Sequence, residues 1–257
     1  HSVLGSIGRI INSLISHNIM SQFLTGPVQV AAQTLHSSSA DKMHNLGEVI
    51  FANDGRAYRY CLAGATALVA GKLQQSIAEV TGSQNLTAVA AAIGDKVIVS
   101  TSTITATLNE FAEGWAIITV TPGLGRQYKI KGHPAYTAAA PTLQLFEEVK
   151  VALTTGSRID LVHNPFFKVI VNPTTATSAP NGVAVHPIAI AEYGWLQVGG
   201  VATILADAAI TVGVNVSASN AIAGAVEAAV TAQAAIGVAV TGIADTEYGA
   251  VKLFGLL

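Results

Sequence analysis

The chain has 257 residues, of which 51% are hydrophobic and 11% charged, with a formal net charge of −2. That length supports one large β domain or two smaller modules, while a charged fraction well below the roughly 25% usual for soluble domains leaves few groups to solvate a surface. The thirteen Lys and Arg are scattered singly, which excludes the basic stripe that direct nucleic-acid binding needs; a lone Cys61 excludes an intramolecular disulfide and a thiolate metal cage. Small apolar side chains spread over wide surfaces predict an obligate homo-oligomer.

Residues 1–19 place Val3, Leu4, Ile7, Ile10, Ile11, Leu14 and Ile15 at helical spacing, a short amphipathic helix over 3–15. Met20-Ser21 reads as a natural start, so this segment is either a remnant upstream of it or an arm that docks on a neighbouring subunit. It has neither the basic start nor the cleavage site of a secretory signal. Residues 20–46 show no sustained period and read as an extended arm or linker, with order beginning near Gly47.

Glu48–Phe51 predicts a short strand, Asn53-Asp54-Gly55 a turn, and Ala57–Leu62 an alternating strand. Gly64–Leu73 invites a phosphate-loop reading, but six residues separate Gly64 from Gly71-Lys72 and Leu73 stands where Ser or Thr should hold the metal. The better reading is strand, turn at Ala70-Gly71, strand. Asn85–Ala92 is alanine-rich and predicts a helical turn or two, before the β-branched strand Lys96–Thr107. Pro122-Gly123-Leu124-Gly125 lacks the third glycine of a dinucleotide site.

Residues 133–187 carry Pro134, Pro141, Pro165, Pro173, Pro180 and Pro187 and read as a projecting or linking insertion, with strands or a hairpin over Thr142–Leu153 and Arg158–Val171. Trp195–Val198 predicts a strand, Gly199-Gly200 a turn, and Val201–Leu205, Ile210–Val216, Val238–Thr241 and Ala250–Phe254 further strands; Ala221–Ala235 reads as loop and strand. The uncharged runs 195–206 and 212–226 fall short of the roughly 20 apolar residues of a membrane helix.

The only two tryptophans follow glycines at strand heads, in Glu110–Ile118 and Glu192–Gly200, and Ala92-Ile93-Gly94 is echoed by Ala235-Ile236-Gly237. A duplication of about 65 residues fits this pattern. The expected architecture is all-β: an N-terminal arm (1–46), a β-barrel or sandwich module (47–132), a Pro-rich insertion or hairpin (133–190) and a second, related module (191–257).

Candidate sites are few. Ser157, Asp160 and His163 have the residue types of a hydrolytic triad, but on one extended strand Ser157 and His163 stand about 20 Å apart with Asp160 on the other face, whereas a triad needs contacts near 3 Å. Asp41 and His44, with His36, are three weak metal ligands in an irregular segment. Glu147-Glu148 read as a solvated turn or an intersubunit contact. The sequons at Asn85 and Asn215 matter only in a secretory pathway. Trp115 and Trp195 are expected in the core; the alternative is a carbohydrate platform, which requires an exposed indole. No residue is assigned to catalysis, to a cofactor or to a metal.

The strand-and-turn run Tyr58–Leu73, the Ala-Ile-Gly-Asp-Lys-Val-Ile-Val stretch at 92–99, Glu192–Gly200 and the closing Ala235–Leu257 resemble the head decoration proteins and related virion structural proteins of tailed bacteriophages. The resemblance implies a non-enzymatic virion protein on the capsid surface that binds the major capsid protein and itself, often as a trimer, without a membrane or cofactor. The alternatives are another virion component (major capsid, tail or fibre protein) and a carbohydrate-binding β module or β-rich hydrolase.

Overall fold

The computed structural model describes residues 35–231 and 233–255. The expected helix over 3–15 and most of the expected arm lie outside the described residues. Within them the protein is all-β, as composition and turn spacing predict.

The ten-stranded sheet contains β1 (Val49–Phe51), β2 (Ala57–Leu62), β3 (Leu73–Gln75), β12 (Ile170–Val171), β13 (Pro180–Ala184), β14 (Tyr193–Leu205), β15 (Asn215–Ala218), β16 (Val226–Ala228), β17 (Gly237–Ala239) and β18 (Tyr248–Leu253). Its main path runs β12-β3-β13-β14-β18-β17-β15-β16, and β2 joins β14 while carrying β1 on its other side. A six-stranded sheet orders β4 (Leu86–Thr87), β11 (Arg158–Val162), β7 (Trp115–Val120), β8 (Gln127–Gly132), β10 (Thr142–Leu145) and β5 (Val97–Val99) as β4-β11-β7-β8-β10-β5. A small pair joins β6 (Thr105–Ala106) to β9 (Tyr136–Thr137).

Three apolar cores follow from this pairing. A central module packs Tyr58, Cys61, Leu68, Phe166, Trp195 and Leu196. A C-terminal module packs Leu73, Ile204, Ile210, Val216, Ile243 and Val251. An inserted module, entered after β3 and left before β12, packs Ile98, Phe111, Ile118, Tyr128, Ile130 and Ile159. Strand pairing therefore divides the chain elsewhere than at 132 and 190: β10 and β11 complete the sheet of β7 and β8, whereas β12 and β13 return to β3 and β14. The prolines mark the ends of these strands and not one insertion, because a residue without an N–H is tolerated where a ladder starts or stops.

A second difference lies at Gly199-Gly200. The expected turn is a register shift inside one thirteen-residue strand, β14. Tyr193–Gly199 pairs with β2, and Gly200–Leu205 pairs with β18. Gly200 has φ +78° and sits against Arg56, so a side chain would be both strained and crowded. The bulge re-aims the strand from the central core to the C-terminal one, which is how a single strand serves both.

Two further expectations are corrected. The alanine-rich stretch 85–92 forms no helical turn: Leu86–Thr87 is a strand, and Ala88 and Ala91 bridge to Ser100 and Leu153 with their side chains buried in the inserted core. Burial of alternate apolar residues against a sheet overrides alanine's helix propensity. The end of the expected arm, residues 35–46, is part of the fold. Leu35 and Leu46 are buried in the central core, and Ser39 exchanges backbone hydrogen bonds with Tyr193 at 3.0 and 2.8 Å.

Candidate functional site

One local device recurs in all three modules. A buried residue makes an isolated bridge, a two-residue turn follows, and a strand begins. The bridge residues pair reciprocally: Leu68 with Ile188 in the central module, Ala91 with Leu153 in the inserted one, Ile210 with Ile243 in the C-terminal one, each through two N–H···O bonds of 2.8–3.1 Å. Three residues after the bridge, Gly71, Gly94, Ala191, Gly213 and Thr246 take left-handed φ between 56° and 94°, the geometry a tight turn demands.

At the tip of each turn, two residues after the bridge, polar residues are the usual occupants. Here each module presents one β-branched aliphatic instead: Ile93 (68% exposed), Ile190 (59%) and Val212 (59%). The opposing tips are Thr155, Ala70 and Asp245. The protein therefore carries three apolar knobs, one per module, in equivalent positions.

A cleft of about 910 Å³ lies between the inserted and central modules. Trp115 on β7, Lys129 on β8 and Val162 on β11 form one wall; Arg59 on β2, Phe166 and Asn181 on β13 contribute to the other. Trp115 pairs across strands with both Lys129 and Val162. Glu113 ties the two modules together through Leu46 and Asn164, which line the cleft. Its Oε1 accepts from Lys42 Nζ at 2.7 Å and its Oε2 from Leu46 N–H at 2.8 Å, while Asn164 Nδ2 donates to both the Leu46 and Glu113 carbonyls. A buried carboxylate so satisfied joins two modules with little freedom between them.

Beside this junction an aromatic column runs from the inserted core to the central one. His163 lies stacked between Phe111 (centroids 4.3 Å apart) and Phe167 (5.6 Å), with Lys168 Nζ over the Phe167 ring. Its Nε2 stands 3.7 Å from Glu110 Oε1. Burial lowers the His163 pKa more than Glu110 raises it. Burial pushes the Glu110 carboxyl up, but the hydrogen bonds it accepts from Thr107 N–H and Oγ1–H and the charges of Lys168 and His163 bring it below the usual value.

The structure places the sequence candidates apart. Ser157 Oγ donates to the Pro122 carbonyl, Asp160 Oδ1 accepts from Asn85 N–H, and His163 belongs to the aromatic column, so the three are not a triad. His44 pairs with Glu48 at 3.1 Å and packs on Tyr60 and Trp195, while His36 lines a separate hollow with Arg56 and Tyr248. Among the described residues no group of three His, Cys, Asp or Glu is close enough to hold a metal ion. Glu147 accepts from the Lys129 amide and Glu148 pairs with Lys150. Gly71-Lys72 is a turn entering β3, and Asn85 and Asn215 are exposed. Trp195 is a core residue as expected (4% exposed); Trp115 is not, being half-buried at the cleft.

Sequence reasoning did not find Arg59, Lys129 and Asn181 as cleft residues, because they come from three segments brought together only by the insertion topology. Scans of the chain against protein-family models, curated proteins and solved structures find no match.

Proposed function

We propose that this protein is a non-enzymatic virion structural protein that binds a capsid lattice as a decoration or cement protein, acting as a homo-oligomer. The observation that carries the reading is the set of three aliphatic turn tips, Ile93, Ile190 and Val212, one on each module. Exposed aliphatics scattered singly mean little, but the same turn position, made apolar once per module, amounts to a designed set of contacts. On a chain only 11% charged, such knobs are costly in water and are relieved by burial in a partner. Several small contacts on one rigid body add through effective concentration, so a lattice of repeated partners is held tightly by tips that are individually weak. The family resemblance of the sequence supports the same reading and supplies its partner, the major capsid protein.

The test is co-sedimentation of the purified protein with expanded phage heads, together with its native mass in solution. The reading expects a stable oligomer that saturates the heads. In the triple variant I93K/I190K/V212K, occupancy falls roughly tenfold or more while the melting temperature stays within a few degrees. Unchanged occupancy in a folded triple variant, or a monomer indifferent to heads, overturns it.

A further inference from the structure

The cleft between the inserted and central modules has a composition that the lattice-binding reading does not use. The ion pairs among the described residues are Lys42–Glu113, His44–Glu48, Arg56–Asp54, Lys150–Glu148 and His163–Glu110. Arg59 and Lys129, both half-buried cleft residues, make none. Arg59 Nη1 donates to the Gly47 carbonyl and its guanidinium lies over the Phe166 ring, yet its buried Nε–H has no hydrogen-bond acceptor. Asn181, 5% exposed, donates through Nδ2 to the Pro165 carbonyl and leaves Oδ1 without a donor. Buried polar atoms left unpaired are uncommon in native proteins and call for a specific account.

We propose that this cleft binds an acidic saccharide, a pyranose bearing a carboxylate. Each wall supplies one part of the recognition. The half-buried indole of Trp115 offers a flat π face to the C–H face of a sugar ring. Arg59 and Lys129 line the same space without an ion-pair partner, Lys129 Nζ lying over the Phe146 ring, and they outnumber the one carboxylate of the lining, Glu79; a guanidinium is suited to a planar carboxylate. Ser76, Thr177 and Asn181 add hydroxyl and amide groups for ring hydroxyls. The volume of about 910 Å³ is in the range of small-ligand sites.

An acidic peptide suits the cleft less well. Peptides that bind β proteins commonly add a strand to a free edge, but β2, β7, β8, β11 and β13, which line the cleft, each already pair with a neighbour on both sides. Recognition here has to run through side chains, and a rigid ring with one apolar face, hydroxyls and a carboxylate meets all three kinds present.

Calorimetric titration of the full chain with hexagalacturonate tests this, with maltohexaose as the neutral saccharide and inorganic phosphate as the bare anion. The expected result is saturable binding of hexagalacturonate, roughly tenfold or more weaker for maltohexaose and for the Trp115→Ala and Lys129→Gln proteins. Lys129→Gln sits on the open face of the sheet and keeps the melting temperature, so loss of binding there is not loss of fold. Absence of saturation up to millimolar hexagalacturonate, equal binding of maltohexaose, binding indifferent to both substitutions, or phosphate binding as well as hexagalacturonate would each overturn the proposal. Head binding by the turn tips is measured separately, so either proposal can fail while the other stands.

Discussion

Gly114-Trp115 and Gly194-Trp195 begin alike and end differently. In both, a glycine brings the backbone against a neighbour and a tryptophan opens a strand. A Cβ on Gly114 would meet the Val162 carbonyl oxygen at 2.1 Å, and one on Gly194 would meet Ile188 Cδ1 at 2.6 Å. Trp195 is then covered: Tyr60 packs edge-on at 5.0 Å, His44 lies at 5.1 Å, and residues 35–46 are tied over it by the Ser39–Tyr193 bridge. Trp115 has no such cover and faces the cleft. The local sequence thus encodes the entry to a strand, while the fate of the indole depends on what the topology lays across it.

The largest expected contrast is between the tryptophans themselves. Trp195→Ala removes a fully packed ring and is expected to cost about 3–5 kcal/mol, whereas Trp115→Ala loses only partial burial, about 1 kcal/mol. Urea unfolding of the two variants measures the difference, and equal losses would erase the distinction between core and cleft. The glycines give the next contrast. The Gly114 neighbour is backbone and cannot move aside, so Gly114→Ala is expected to cost about 2–3 kcal/mol; at Gly194 the obstacle is the far end of an isoleucine, and Gly194→Ala should cost about half as much. Reversal of that order would mean that the inserted module shifts more readily than the core.

Much of the fold was legible, and the reasons it was not legible elsewhere are specific. Ala57–Leu62 is a paired strand where the sequence predicts one, although its burial does not alternate because Tyr60 and Cys61 are both buried, and the turn residues at Ala70-Gly71 and Gly94 punctuate as expected. Gly199-Gly200 misleads because a bulge and a hairpin turn ask the same φ of glycine; only the partner strands, β2 on one side and β18 on the other, tell them apart. The module boundaries were hidden for a related reason: β3 and β12 are neighbours although the whole inserted sheet lies between them in sequence, and periodicity carries no information about such non-local pairing. The cleft shares that limit, since Arg59, Trp115 and Asn181 belong to segments with no pattern in common.

The insertion seam gives a smaller effect. Glu113 occupies a left-handed φ of 62° and satisfies Lys42 and the Leu46 amide at once. Glu113→Ala relieves nothing in the backbone and leaves a buried N–H without an acceptor, at an expected cost of about 2 kcal/mol. Because the loss falls at the junction of two modules, hydrogen exchange should rise first at Leu46 and Asn164 and least at Tyr58 and Leu196; uniform acceleration would show that the seam does not set local stability.

The smallest expected effect is a pH dependence centred on the same seam. His163 is held below its ordinary value of 6.5, chiefly because a charged imidazole between Phe111 and Phe167 loses its hydration; Glu110 opposes this, and Lys168 and His133 add to it. The folded state therefore binds fewer protons at this site than the unfolded chain. Its stabilising contribution is complete above about pH 6.5 and is lost as the pH falls toward the folded pKa. Glu110, also lowered from its ordinary 4.5, holds its contribution above that value and loses it only in stronger acid. Melting temperature should thus decline in two steps, the first beginning as the pH falls below about 6.5. His163→Gln carries no proton to gain and should remove the first step while leaving the second. A wild-type melting temperature flat from pH 7.5 to 5 would mean that His163 opens to water in the folded state, and that the aromatic column, unlike the packing over Trp195, is not a closed core.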